Sequence, residues 1–345
     1  MKACVLEDVG RLVYKDVPLP SVRNGEVLLR VHACGICSSD IPRIFVTGTY
    51  HFPTIPGHEF AGEVVQAADP ENEKLIGLRA AVFPLIPCGE CPSCQEGEYA
   101  RCDHYNYLGS RCDGAFAEYV SVPVWNLVPL DNKVSYEEAA LCEPTAVAKH
   151  CADAGDIQPG NYVAVVGTGT IGILAAYWAK LYGAKRVIVI GNSNRKKKKI
   201  SEIGFSDYIN SAEEDTVERV YQITEGRMAD TVLECVGSSD SIGQALKLAK
   251  KGGNVVLTGN PDGDITLDKQ TYWKVLRSEL TVRGTWNSRF HTFQDDWKKT
   301  LECIGSGAIP VSRLISSKFS LDQSEEAMHL MKDKTKPVFK VMFTL

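Results

Sequence analysis

A short segment near the amino terminus brings together side-chain types that bind a catalytic metal. Cys37 lies three residues before Asp40, and about twenty residues later the chain reads Gly57-His58-Glu59. Thiolate, imidazole and carboxylate are ligands that Zn²⁺ prefers, and a catalytic zinc keeps one coordination position for water or substrate. We therefore predict Cys37 and His58 as the first two ligands, although this segment alone is equally compatible with buried core residues.

A second group of cysteines has the spacing of a structural metal site. Four of the twelve cysteines are separated by two, two and seven residues, with glycine and proline between them to permit tight turns. Four thiolates surround one tetrahedral ion and leave no position open, so we predict a structural site. The alternatives are a redox pair or an iron–sulfur cluster. The four residues are Cys88, Cys91, Cys94 and Cys102.

The elements that must position these ligands are of two kinds. Short β-branched or apolar runs, punctuated by glycine and proline, predict a barrel-like β domain that carries the ligands on its loops. From residue 136 a helical pattern begins, interrupted by Glu143-Pro144, and beyond residue 160 strands alternate with helices. The predicted strands of the first region are residues 1–7, 26–33, 57–67, 80–85 and 115–123.

A glycine-rich turn follows the first strand of the second region. The apolar run 162–166 leads directly into Gly167-Thr168-Gly169-Thr170-Ile171-Gly172, and a helical run follows at 173–182. The motif is weak alone, but between a strand and a helix it directs backbone N–H groups at a pyrophosphate. Further strands at 186–190, 207–209, 231–236, 254–258 and 280–285 complete a predicted six-stranded, doubly wound sheet.

The end of the second strand of this sheet indicates which dinucleotide is preferred. NAD-selective folds usually carry an acid there, which accepts a hydrogen bond from the adenosine ribose. Here the chain reads Gly191-Asn192-Ser193-Asn194-Arg195-Lys196, without the acid and with cationic side chains. We therefore predict NADP(H). Gly191 leaves NAD(H) acceptable, and the lysine run that follows is also typical of a solvated helix start.

Composition excludes several classes of protein. The 345 residues carry 38 Lys and Arg against 43 Asp and Glu, a net charge of −5 that argues against binding nucleic acid or a membrane surface. The amino terminus lacks the apolar core of a signal peptide, and no apolar run is long enough to predict a membrane span. We predict a cytoplasmic protein of two domains.

Taken together, these motifs resemble the zinc-dependent medium-chain dehydrogenase/reductase superfamily over essentially the whole chain. A glutamate at Glu143 is similar to the sorbitol and polyol dehydrogenase branch, and residues 39–45, 84–88 and 109–111 resemble the bacterial galactitol-1-phosphate 5-dehydrogenases. The resemblance implies an α/β architecture with a GroES-like β-barrel catalytic domain and a Rossmann coenzyme domain. The implied boundaries are 1–146 for the catalytic domain with a metal lobe at 84–103, 147–285 for the coenzyme domain, and 286–345 for a return to the catalytic domain.

The resemblance also implies a catalytic zinc site. Cys37 and His58 would hold the zinc, with Glu59 and Glu143 as adjacent carboxylates that bind it directly or through water. Cys142 is a rival ligand, because alcohol dehydrogenases use a cysteine in this part of the chain. With the four-cysteine lobe, this gives two zinc ions per chain.

Proton transfer is implied to involve two further residues. Asp40 would accept the other N–H of the ligand histidine, and Ser39 would take the proton from the substrate hydroxyl. Pro42 stands where alcohol dehydrogenases have a relay histidine, so the proton would leave through water or Glu59.

The implied activity is hydride transfer between NAD(P) and a secondary alcohol of a polyol or polyol phosphate, with zinc lowering the pKa of the alcohol. Arg43, Arg111 and Arg289 are candidates for contacting a substrate phosphate, because a guanidinium donates two hydrogen bonds at once, and Arg43 is favoured because it directly follows the zinc loop. The alternatives are another zinc alcohol dehydrogenase, a threonine-dehydrogenase-like enzyme, or a non-catalytic nucleotide-binding protein. Relatives of this kind form homodimers or homotetramers, often by continuing the coenzyme-domain sheet through an edge strand, here residues 280–285.

Overall fold

The computed structural model describes residues 1–291 and 295–345. The chain forms two compact units. The first comprises Met1–Ala146 and Ser288–Leu345, and the second comprises Val147–Asn287. Among the described residues no helix is long and apolar enough to cross a membrane.

The strands are β1 (Lys2–Asp8), β2 (Arg11–Asp16), β3 (Glu26–Ile36), β4 (Glu59–Ala67), β5 (Arg79–Val82), β6 (Leu85–Ile86), β7 (Asn106–Tyr107), β8 (Tyr119–Pro123), β9 (Leu127–Pro129), β10 (Tyr162–Val166), β11 (Arg186–Gly191), β12 (Asp207–Asn210), β13 (Ala229–Glu234), β14 (Ala249–Leu257), β15 (Thr281–Gly284), β16 (Ile315–Phe319) and β17 (Lys340–Thr344). The α-helices are α1 (Asp40–Pro42), α2 (Pro92–Gln95), α3 (Tyr136–Ala140), α4 (Cys142–Ala154), α5 (Thr170–Leu181), α6 (Lys197–Glu202), α7 (Thr216–Ile223), α8 (Ser239–Leu248), α9 (Lys269–Arg277), α10 (Asp296–Gly305) and α11 (Ser324–Lys332).

The first unit is built on a seven-stranded sheet. Its order is β16-β17-β3-β4-β5-β9, and β8 also pairs with β3. The pairs are antiparallel except for β16 with β17. Apolar residues of β1, β3, β4, β8 and β17 form one buried cluster, in which the rings of Phe116 and Phe343 meet edge to face at 5.0 Å. This closed β core fixes the ends of β3, β4 and β17, which carry the candidate ligands and their partners.

The second unit is a six-stranded parallel sheet in the order β12-β11-β10-β13-β14-β15. Numbered within the unit, this is the 3-2-1-4-5-6 order of a doubly wound dinucleotide-binding fold. The central strands β10 and β13 are buried along their whole length, as expected for a sheet covered on both faces. The predicted fold class is therefore confirmed.

Several elements differ from the sequence-based prediction. Strands β2, β7, β9, β16 and β17 were not predicted, and β14 begins at Ala249, five residues before the predicted start at 254. Glu143-Pro144 does not interrupt a helix but lies in the first turn of α4. Proline is tolerated there because the first backbone N–H groups of a helix have no acceptor within the helix.

The edge strand β15 is exposed at all four of its residues. It pairs with β14 on one side, and its other edge is not paired with any strand in the described part of the chain. A parallel edge of this kind offers unpaired backbone groups to a second strand.

Candidate active site and nucleotide site

Three of the predicted zinc ligands meet in the first unit. One ligand atom each from Cys37, His58 and Glu59 lies within 4.8 Å of the others. Cys37 directly follows β3, Glu59 begins β4, and the antiparallel register places Gly35 opposite Glu59. Residues more than twenty positions apart in sequence are therefore brought together by strand pairing.

Glu59 is bound by a lysine that the sequence analysis did not single out. Lys340 Nζ donates to both carboxylate oxygens of Glu59, at 2.7 Å to Oε1, and lies 3.2 Å from the carbonyl oxygen of Ile36. Both side chains are almost completely buried. Burial alone would lower the pKa of Lys340, but the Glu59 carboxylate raises it to a net value above the ordinary one. The two charges therefore neutralise each other inside the protein.

A glycine makes room for this ion pair. A Cβ atom at Gly35 would lie 2.3 Å from Glu59 Oε2, far inside van der Waals contact. The carboxylate therefore occupies the space that any other residue at position 35 would need.

Asp40 fixes the loop that carries Cys37 and His58. Its fully buried carboxylate accepts hydrogen bonds from Cys37 N at 2.9 Å and from Arg43 Nη1 at 2.8 Å. Its Oδ1 atom lies 3.5 Å from Nδ1 of His58. Burial raises the pKa of Asp40, but His58, Arg43 and the Cys37 N–H together lower it below its ordinary value. Asp40 is thus an anion that pairs with the Arg43 guanidinium and faces the His58 imidazole.

Ser39 lies beside the candidate metal cluster. Its Oγ donates to Cys37 Sγ at 3.2 Å, and its side chain is only partly buried. The hydroxyl is therefore adjacent to the ligand sulfur, at the exposed side of the cluster.

Glu143 is buried near the cluster but is not one of its three mutually close members. Tyr107 donates its hydroxyl to Glu143 Oε1 at 3.4 Å, and the Tyr107 ring lies edge-on to His58 at 5.7 Å. Burial raises the pKa of Glu143 to about 7 although the charge of His58 opposes this. The neighbouring Cys142 thiol donates to the carbonyl oxygen of Trp297 at 3.8 Å and lies outside the cluster.

The donor set fits a zinc ion. It offers one thiol sulfur, one imidazole and at least one carboxylate. Three protein donors of these types are what a catalytic zinc requires, with a further position left for substrate.

The structure also brings the four predicted cysteines together. One sulfur from each of Cys88, Cys91, Cys94 and Cys102 lies within 4.8 Å of the others, and all four are free thiols. Gly89 and Gly97 have φ values of +80° and +78°, which permit the two tight turns around the group. Backbone N–H groups of Asp103 and Cys94 lower the pKa of Cys91 to about 6, which favours the thiolate that a metal binds.

The glycine turn of the second unit has the geometry of a phosphate-binding loop. Gly167 has a φ of +119°, which favours glycine, and a Cβ at Gly172 would lie 2.2 Å from the carbonyl oxygen of Gly167. A Cβ at Gly169 would meet nothing within 4 Å, so this side of the turn is open. Gly169 is also the residue from which helix α5 begins. The open side therefore presents a helix N-terminus to an anion.

The end of β11 carries cationic and hydroxyl side chains close to this turn. Lys196 Nζ donates to the carbonyl oxygen of Thr168 at 3.0 Å, and Arg195 Nε donates to Ser193 Oγ at 3.1 Å. A Cβ at Gly191 would lie 2.3 Å from the hydroxyl of Tyr208, which itself donates to Ser193 O at 2.6 Å. No larger side chain fits at position 191, and Asn192 follows it directly.

A buried carboxylate next to the turn was not predicted from the sequence. Glu234 ends β13, is completely buried, and accepts from the backbone N–H groups of Val236 and Gly237 at 2.8 and 2.9 Å. A Cβ at Gly167 would lie 2.9 Å from Val236 Cγ2, so the segment that Glu234 holds in place packs directly against the glycine turn. A lone acid closing an apolar run was the available signal for Glu234, and a lone lysine in the apolar run 338–343 was the signal for Lys340.

The three candidate substrate arginines are not brought together. Arg43 is paired with Asp40, and Arg289 has its Nε buried without a hydrogen-bond partner among residues 1–291 and 295–345. Arg111 lies between the rings of Tyr50 and Tyr105.

Comparison with known proteins agrees with this geometry. Residues 23–132 match the alcohol dehydrogenase GroES-like domain, and residues 170–306 match the zinc-binding dehydrogenase family. Sorbitol dehydrogenase of Bacillus subtilis (strain 168) is 30% identical over 99% of this chain and 96% of its own length.

Two solved structures extend the comparison. The crystal structure of galactitol-1-phosphate dehydrogenase from Escherichia coli superposes with a TM-score of 0.93 at 29% identity, covering 100% of both chains. A zinc-binding dehydrogenase from Sinorhizobium meliloti 1021, bound to NADP, gives a TM-score of 0.90 at 30% identity over 100% of this chain and 99% of that one. The chain therefore belongs to the zinc-dependent medium-chain dehydrogenase/reductase family, and it is an NAD(P)-dependent alcohol dehydrogenase.

Proposed function

We propose that this enzyme transfers a hydride between NADP(H) and a secondary alcohol of a polyol or polyol phosphate. The convergence of Cys37 and His58, with the buried carboxylates Glu59 and Glu143 beside them, carries this proposal, because it supplies the donor types of a catalytic zinc. The similarity to a sorbitol dehydrogenase and to a galactitol-1-phosphate dehydrogenase supports a polyol as the substrate.

Cys37 and His58 would hold the catalytic zinc, which supplies Lewis acidity that lowers the pKa of a substrate hydroxyl. Asp40 fixes the orientation of His58 and of the Cys37 backbone. Because Lys340 engages both oxygens of Glu59, we assign Glu143 as the carboxylate that completes the metal site directly or through water, with Glu59 as the alternative. The four-cysteine group would hold a second, structural zinc ion.

Ser39 is proposed to move the substrate proton. Its hydroxyl lies next to Cys37 Sγ and is partly exposed, so it can accept a proton from an alcohol bound at the cluster and release it to water. The alternative is that the substrate proton leaves through the carboxylate of Glu59.

The preference for NADP(H) rests on the end of β11. Arg195 and Lys196 place two cations near the glycine turn, and Asn192 stands where an NAD-selective fold has an acid. A 2′-phosphate would gain charge-assisted hydrogen bonds there instead of repulsion.

Assembly is proposed to occur through β15. Its exposed edge can pair with the same strand of a second copy around a two-fold axis, which would continue the parallel sheet into a homodimer or a homotetramer.

A substrate panel tests the proposed function. Purified enzyme is assayed with sorbitol, ribitol, hexitol phosphates, ethanol and threonine, each with NAD and with NADP, while bound zinc is measured by atomic absorption. We expect the highest kcat/KM on a polyol or its phosphate with NADP, and two zinc ions per chain. Preferential turnover of ethanol or threonine would overturn the substrate assignment, and reduction that survives removal of all zinc would overturn the metal site.

A further inference from the structure

Arg111 is held in an unusual environment for a loop arginine. Its guanidinium carbon lies 4.2 Å from the centre of the Tyr50 ring and 4.3 Å from that of Tyr105. Two aromatic rings therefore lie against the guanidinium and restrict its orientation. A cation stacked on aromatic rings is stabilised, and its orientation is fixed before any ligand binds.

The edge of this guanidinium is almost free of protein partners. Nη2 donates one hydrogen bond to the Tyr50 hydroxyl at 3.2 Å. Within residues 1–291 and 295–345 no carboxylate forms a salt bridge with Arg111, whereas Arg43 is paired with Asp40. Arginine has five N–H donors in a planar fork, so most of them remain available for an acceptor.

The stacked arginine is tied to the candidate metal cluster. The Tyr105 ring meets Tyr107 edge to face at 6.2 Å, and Tyr107 contacts both His58 and Glu143. A chain of two tyrosine rings thus connects Arg111 to the cluster.

The loop that carries Arg111 is also packed on the segment that contains His58. A Cβ at Gly109 would lie 2.6 Å from the carbonyl oxygen of Gly57, the residue before His58. Nε2 of His51 lies 3.2 Å from the carbonyl oxygen of Arg111. The backbone that carries Arg111 is therefore packed against the backbone next to His58.

The other two arginines are less suited to recognise a ligand. The Arg43 guanidinium already neutralises the buried Asp40 carboxylate, so an incoming anion would compete with a protein charge. The Nε atom of Arg289 is buried, so this donor is not presented to solvent.

From these observations we propose that Arg111 is the specificity-determining residue for a phosphate monoester on the substrate. The two tyrosines hold its fork so that the free edge donates two parallel hydrogen bonds to phosphate oxygens while the substrate hydroxyl lies at the metal cluster. The inference rests on the proposed function, and it makes the physiological substrate a polyol phosphate and not a free polyol.

The test compares phosphorylated and free substrates of the same carbon skeleton. kcat/KM is measured on a hexitol and on its phosphate for wild type, Arg111→Met, Arg111→Lys and a control, Arg23→Met, which removes an exposed arginine elsewhere in the first unit. We expect Arg111→Met to lower kcat/KM on the phosphate by about 10²-fold, as for loss of charged hydrogen bonds, and to change that on the free hexitol by less than about threefold. The kcat/KM of Arg111→Lys on the phosphate should lie between those of wild type and Arg111→Met, because lysine keeps the charge but lacks the planar fork.

Several outcomes would overturn the proposal. An equal loss on both substrates would assign Arg111 a structural role, and an unchanged ratio would exclude it from phosphate recognition.

If wild type oxidised neither substrate, the proposed function would fail, and phosphate recognition would be judged separately. For that purpose inorganic phosphate is titrated into ¹⁵N-labelled enzyme while the Arg111 Nε–H resonance is followed by NMR. A saturable shift, absent in Arg111→Met, supports the anion site without any turnover, and no shift contradicts it.

Discussion

The two groups of candidate metal ligands in the first unit are assembled by different means. The four cysteines lie within one stretch of fifteen residues, from Cys88 to Cys102, and local turns alone close the group. The cluster of Cys37, His58 and Glu59 depends on the pairing of β3 with β4, and Lys340 reaches it from 281 residues beyond Glu59. One group is thus a local loop, and the other is a product of the whole sheet.

The surroundings differ as much as the assembly. Within the described part of the chain, the four cysteines are packed by the aromatic rings of Tyr99 and Tyr105, and the potential metal ligands are the thiols themselves. Around the second cluster every ligand has a polar partner: Asp40 for His58, Ser39 for Cys37 and Lys340 for Glu59. A site that only holds a loop needs ligands alone, whereas a site that does chemistry needs its ligands oriented and their charges balanced.

The largest expected effect is the loss of activity in Cys37→Ser. Replacing the thiol removes a zinc ligand, so kcat/KM should fall by about 10⁴-fold, equivalent to about 5 kcal/mol of transition-state stabilisation. Steady-state kinetics measure this, with Cys112→Ser as the control because Cys112 is a half-buried thiol outside both groups. Activity within tenfold of wild type would show that Cys37 does not hold the catalytic metal.

The second prediction concerns the buried ion pair. Lys340→Met should lower the free energy of unfolding by about 3 to 5 kcal/mol, because it leaves the Glu59 carboxylate buried without a cation. Urea unfolding measures this, and Lys336→Met, at an exposed lysine in the same part of the chain, should change little. The double variant Lys340→Met/Glu59→Gln should recover part of the stability. If the single variant is as stable as wild type, the pair is not the structural element inferred here.

A smaller effect on catalysis is expected for Ser39→Ala. If Ser39 accepts the substrate proton, kcat should fall by about 10²-fold while zinc content and stability stay at wild-type values. Ser38→Ala is the matched control, since Ser38 is exposed and adjacent. If both variants had the same kinetics, the substrate proton would leave through water or through Glu59 and not through Ser39.

The smallest catalytic effect is expected in the four-cysteine group. Cys94→Ser should reduce bound zinc from two ions to one and lower the thermal midpoint, yet leave kcat/KM at 25 °C within about threefold, because a closed site takes no part in the chemistry. Cys37→Ser should show the converse, also losing one zinc but keeping its thermal midpoint. If the two variants behave alike, the distinction between a structural and a catalytic site does not hold.

The sequence predicted the second unit better than the first. The run 162–166 followed by the glycine turn gave both β10 and the start of α5, because a parallel strand and its helix are adjacent in the chain. In the first unit, β16 and β17 were not predicted, and β17 carries the lysine that binds Glu59. Antiparallel partners hundreds of residues apart leave no local periodicity from which their pairing can be predicted.

The candidate arginines show the same limit. From the sequence, Arg43, Arg111 and Arg289 were all candidate partners for a phosphate, and Arg43 was favoured because it follows Cys37 closely. Their environments separate them, since Arg43 neutralises Asp40 whereas Arg111 is stacked between two tyrosines with its edge free. Charge is a property of the residue, but its availability depends on which neighbours the fold provides.

By itself, the sequence determined the ligand types, the spacing of the four cysteines, the glycine turn and the order of strands and helices in the second unit. These are local features, because a tight turn or a strand with its following helix is specified by residues close to one another in the chain. Only the tertiary structure decided that Lys340 neutralises Glu59, that the Cys142 thiol donates to Trp297 and not to the metal cluster, and that Arg111 has no carboxylate partner within the described residues. Each depends on the burial of charged or polar groups, and the free energy of a buried group is set by contacts between distant segments.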